Sequence, residues 1–110
     1  MKTAAMAFAC AAALLAAGAP AWAQSPNEAR SLAATCFTCH GNEGRSVGGV
    51  PPSLAGQDRN YLLQAMKDFK AGKRPATIMH QHAKGYTDEQ LEAIAGYFAS
   101  VKPAPAKSGY

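Results

Sequence analysis

The chain has 110 residues, a formal net charge of +4 and 48% hydrophobic residues. That length holds one domain and no more. The surplus of Lys and Arg is small and no nucleic-acid-binding motif accompanies it, which argues against a nucleic-acid partner.

Lys2 is followed by an apolar run from Ala4 to Ala17, then Gly18, Pro20 and Ala21-Trp22-Ala23. A positive start, a short apolar run and a small-x-small site predict a secretory signal over residues 1–23, cut after Ala23. The run is Ala-rich and falls short of the ~20 apolar residues that a membrane helix needs. Cys10 leaves with it, and no Cys stands at the cut to take a lipid. The expected working domain is then residues 24–102, exported to the periplasm, followed by a loose Pro/Ala-rich tail over 103–110.

The first expected helix runs from Asn27 to Cys39, with Ala29, Leu32, Ala33 and Cys36 at helical spacing. Ser25 or Asn27 is placed to cap it, and Pro26 suits a helix start. Gly41, Gly44, Gly48, Gly49 and Gly56, with Pro51 and Pro52, mark a loop. The second helix is expected from Asp58 to Ala71, with Leu62, Met66 and Phe69 on one face and Gly72 to end it. A second loop is expected from Lys73 to Tyr86. Thr87 and Gln90 then form a capping box, with Asp88 and Glu89 in the first turn. Leu91, Ile94, Ala95, Phe98 and Val101 stripe the third helix, and Pro103 stops it. There is no internal repeat and no run with strand alternation.

An all-α domain of this size is marginal, burying only about 60% of the surface its unfolded chain exposes. Large apolar residues are also scarce, and three such helices cannot cover their faces with each other alone. Small domains in this position take on disulfides, metals or cofactors. The basic residues Lys67, Lys70, Lys73, Arg74 and Lys84 read as a solvated face before they read as a docking patch.

Cys36-Phe37-Thr38-Cys39-His40 is a C-x-x-C-H sequence, the attachment signature of c-type haem. The spacing has a physical reason. Residues i, i+3 and i+4 of a helix share one face, so both thiols reach the vinyl groups of one macrocycle while the next imidazole sits under the iron. Export would otherwise favour a disulfide. A thioredoxin-like pair needs a βαβ setting, which is absent. A zinc site built from Cys36, Cys39, His80 and His82 leaves His40 and the thin core unexplained. The reading is one covalent haem c, bound through Cys36 and Cys39, with His40 as proximal ligand.

Met79 is the expected sixth ligand. It lies in Thr77-Ile78-Met79-His80-Gln81-His82, in the loop before the last helix. Met/His ligation raises the reduction potential and suits electron transfer. Met66 falls in a packing stripe, while His80 and His82 are rivals that would give bis-His ligation. A metal-bound His commonly donates its second ring N–H to a carbonyl. Pro51-Pro52-Ser53-Leu54 offers one, Pro52 first, with Leu54 packing on the haem face. An ordinary Pro-rich turn is an equal alternative on these residues alone.

From Asn27 to Val101 the order of features resembles the class I c-type cytochromes: a C-x-x-C-H helix, a Pro-x-Leu loop, a middle helix, a Met segment and a C-terminal helix. The resemblance implies the class I cytochrome c fold, with the first and last helices crossing so that Ala29 and Ala33 lie near Tyr97 and Phe98. It also implies His40/Met79 ligation and the Pro52 carbonyl bond. More narrowly, Thr77-Ile78-Met79, Ala83-Lys84-Gly85-Tyr86, Ala95-Gly96-Tyr97-Phe98 and Phe69-Lys70-Ala71-Gly72 are similar to the cytochrome subunit of flavocytochrome c sulfide dehydrogenase. In that family a flavoprotein subunit carrying FAD oxidises sulfide, and the cytochrome subunit passes the electrons on to a further carrier such as another cytochrome.

Three functions follow as expectations. The first is the electron-accepting subunit of a sulfide-oxidising flavoprotein. The second is a free periplasmic shuttle serving an oxidase or another reductase. The third is a haem catalyst or gas sensor with an open iron, which an available Met79 disfavours. No residue stands out for making or breaking substrate bonds, so the chain is not expected to be an enzyme alone.

Overall fold

Ser25 opens the first helix by accepting a hydrogen bond from the Glu28 N–H at 3.2 Å, with Pro26 in the first turn. The computed structural model describes residues 25–105. The expected leader over residues 1–23 and the end of the expected tail lie outside the described residues. All regular structure among the described residues is helical: α1 (Pro26–Ala33), α2 (Phe37–His40), α3 (Arg59–Ala71), α4 (Met79–Lys84) and α5 (Asp88–Ser100), with 3₁₀ turns at Ala34–Cys36 and Asn42–Gly44. No described helix is long and apolar enough to cross a membrane.

The single helix expected over 27–39 is α1, a 3₁₀ turn and α2 in one right-handed run that ends one residue later, at His40. The tighter turn at Ala34–Cys36 coincides with the Thr35 hydroxyl, which donates back to the Leu32 carbonyl at 3.3 Å. Such back-bonding competes with the regular helical ladder. Gly41 stops the run at φ +86°, and a Cβ there would lie 2.0 Å from the Arg45 carbonyl oxygen. Only glycine fits that corner.

Asp58 caps α3 by accepting from the Tyr61 N–H at 2.8 Å, and Gly72 closes it with its N–H returned to Phe69. The capping box at α5 is complete: Thr87 Oγ1 accepts from the Gln90 N–H, and Gln90 Oε1 accepts from the Thr87 N–H. One expectation is corrected. The segment from Lys73 to Tyr86 is not all loop, since Met79–Lys84 forms α4. The run is free of Gly and Pro, but six residues are too few to show a period, and packing on α3 carries it.

The core is Ala33, Leu62, Ile94, Ala95 and Phe98, with Phe37, Leu54, Met66, Tyr86 and Tyr97 packed against it. α1 packs on α5, and α3 packs on both α4 and α5. Ala29 and Ala33 put small side chains on the buried face of α1, so the α5 aromatics come close. Phe37 meets Phe98 edge-on at 6.1 Å, and Tyr97 meets Phe98 at 5.2 Å. Gly44 lies under Phe98: a Cβ on Gly44 would approach the ring to 2.7 Å. The Gly44 carbonyl accepts from both Leu54 and Ala55, fixing the start of the Pro-x-Leu loop against the core.

Candidate functional site

α2, the Pro-rich loop, α3, α4 and α5 surround one cleft of about 430 Å³, within the size range of small-molecule and cofactor sites. Cys36, Cys39, His40, Pro52, Leu54 and Met79 all line it. Cys36 and Cys39 are free thiols. Burial pushes the Cys36 thiol above its ordinary value, with a Thr35 hydrogen bond pulling the other way. Cys39 is exposed.

His40 is 7% exposed, and its Nδ1 lies 2.7 Å from the Pro52 carbonyl oxygen. The loop that presents this carbonyl is pinned from within. The Ser46 N–H donates to Ser53 Oγ at 2.9 Å, and Ser46 Oγ donates to the Pro51 carbonyl at 2.5 Å. The Gln57 side chain donates to the Ser53 carbonyl at 2.5 Å.

Met79 is the first residue of α4. Among its histidine rivals His82 lines the cleft and His80 does not. Met66 lines it too, while also packing on the core. No three His, Cys, Asp or Glu side chains among the described residues gather as metal-ion ligands, so the zinc grouping of Cys36, Cys39, His80 and His82 does not assemble.

Other residues on the cleft carry no site signal in the sequence. Among the described residues Arg74 is the one permanent cation on its lining, with its guanidinium 4.9 Å from the centre of the Phe69 ring. In sequence it was one of several clustered bases, and nothing local separates it from Lys67 or Lys73. Thr35 and Tyr86 also line the cleft and hydrogen-bond through their hydroxyls at 2.5 Å. They lie 51 residues apart, and no spacing rule pairs them.

The donor set fits a c-type haem. Two thiols and an imidazole come from one turn of helix, a thioether from a separate segment, and the walls are largely apolar. Residues 27–102 match the family model for cytochrome c. The chain belongs to the cytochrome c family.

This cytochrome is therefore an electron carrier whose family binds haem c covalently, and its fold is that of the class I members. It is 44% identical over 70 residues to the cytochrome subunit of sulfide dehydrogenase from Chlorobaculum tepidum, covering 64% of this chain and 63% of that one. It is 44% identical over 73 residues to cytochrome c4 of Pseudomonas aeruginosa, covering 66% and 36%. It is 38% identical over 69 residues to the thiosulfate dehydrogenase electron acceptor of Stutzerimonas stutzeri, covering 60% and 32%. In each case the match spans less than two thirds of the relative's length.

Proposed function

We propose that this cytochrome carries one haem c on Cys36 and Cys39, with His40 and Met79 as axial ligands, and works in the periplasm as the electron-accepting subunit of a sulfide-oxidising flavocytochrome c. The observation that carries the site is the convergence of Cys36, Cys39, His40 and Met79 on one apolar cleft. The sulfide partner is supported by the similarity to the Chlorobaculum tepidum subunit. When bound, the haem supplies a one-electron couple at its iron.

The protein's own residues bind, orient and shield that couple. Pro52 holds the His40 ring. Leu54, Leu91, Ile94 and Phe98 supply apolar walls and keep water off. Arg74 offers a cation to the carboxylates of the macrocycle. Sulfide oxidation to zero-valent sulfur releases two electrons and a proton. A flavin on the partner would supply the two-electron chemistry, and this subunit would accept the electrons one at a time.

Cytochrome c4 and the thiosulfate dehydrogenase acceptor are also similar, which favours a second reading, a free shuttle for another dehydrogenase or an oxidase. Affinity purification of the protein from its native host separates the two. The first reading expects a flavin-containing chain to co-purify, with haem reduction by sulfide in that complex. Purification without a flavoprotein, and no reduction by sulfide in the host extract, overturns it in favour of the shuttle.

A further inference from the structure

The Met79-bearing helix α4 has little of its own to hold it. It is six residues long, its N-cap Ile78 makes no side-chain cap bond, and Ala83 is its one buried residue. Ile78 is 56% exposed. A helix this short is not stable alone, so its place over the cleft depends on what ties it down.

Besides the packing of α4 on α3, its hydrogen-bonded ties converge on Tyr86, just past the helix end. The Tyr86 N–H reaches the Ala83 carbonyl at 3.3 Å. Its carbonyl accepts from Lys70 Nζ on α3 at 2.7 Å, and Lys70 also pairs with Asp88 at the start of α5 at 3.2 Å. Its hydroxyl meets Thr35 Oγ1, in the turn that carries Cys36, at 2.5 Å. Either hydroxyl can donate in that bond. One residue thus joins the α4 segment to α3 and to the helix bearing both cysteines.

We propose that Tyr86, through Thr35 and Lys70, is a positioning residue that clamps α4 across the cleft and keeps the Met79 thioether on the iron. The inference rests on Met79 being the sixth ligand. Tyr86 does not ligate the metal. It acts by lowering the population of an opened form in which α4 has lifted away. An external ligand reads that population directly, since it binds the iron only when Met79 has left.

The experiment uses the intact haem-loaded protein, with Tyr86→Phe and Thr35→Val as near-isosteric variants. Imidazole is titrated into the ferric form while the red charge-transfer band of methionine-ligated haem is followed. Each single variant is expected to bind imidazole roughly fivefold more tightly than the wild type, the change expected for one hydrogen bond of ordinary net strength. The double variant is expected to match the singles, because both remove the same bond. Urea midpoints are measured in parallel. A role in general stability alone would move those midpoints and leave imidazole affinity within twofold of the wild type, which overturns the proposal, as does an additive double variant. A wild-type protein without the band would instead overturn Met79 ligation, and the clamp with it.

Discussion

His40 Nδ1 donates to the carbonyl oxygen of Pro52 across 2.7 Å. A carbonyl has no proton to give, so the bond places the hydrogen on Nδ1 and leaves the Nε2 lone pair free for a metal. It also makes the imidazole a stronger electron donor. With His40 as the proposed iron ligand, the rigidity of the Pro-rich loop would reach the metal.

Loosening that loop should therefore shift the potential without removing a ligand. Ser53→Ala deletes the oxygen that accepts from the Ser46 N–H. A weaker hold on His40 makes its ring a poorer donor and destabilises the ferric state. The potential is expected to rise by tens of millivolts, roughly, with the visible spectrum unchanged. Protein-film voltammetry measures it.

Replacing the sixth ligand should have a larger effect. Met79→His is expected to abolish the red charge-transfer band and lower the potential by on the order of 0.1 V, a modest part of the ~0.8 V over which axial ligands act. His82→Ala, which removes the rival histidine on the cleft, is expected to keep the band. Retention of the band in Met79→Ala would move the ligation to Met66, and a wild type without the band would move it to His82, since both line the cleft.

Gly44 supports the core from outside the site. A methyl there meets the Phe98 ring at 2.7 Å on a residue at φ +76°. Gly44→Ala combines overpacking with left-handed strain, each costing about 1–3 kcal/mol. A loss of roughly 2–4 kcal/mol in urea unfolding of the haem-loaded protein is expected. A change under about 0.5 kcal/mol would mean that the loop moves aside freely.

On the proposed attachment, haem would supply the remainder of the core. The fully buried large side chains among the described residues are Phe98, Leu91 and Ile94. Cys36→Ser/Cys39→Ser, matured without attachment, is expected to lose most of its far-ultraviolet helical signal and to melt without a cooperative transition. A sharp melt with native helicity would show that the helices suffice alone.

The chain sequence by itself determined whatever depends on neighbours a few residues apart. Ser25, Asp58 and Thr87 at helix starts, the Leu91–Phe98 stripe and the C-x-x-C-H face are all set by backbone geometry within one or two turns. Only the tertiary structure decided what depends on distant partners. Pro52 meets His40 across 12 residues, Lys70 meets Tyr86 across 16 and Thr35 meets Tyr86 across 51. The helicity of Met79–Lys84 belongs with these, because so short a segment takes its conformation from the helix it packs on. Local spacing carries no record of such meetings: a hydrogen bond between remote side chains is specified by how packed helices cross, and that is a property of the assembled core.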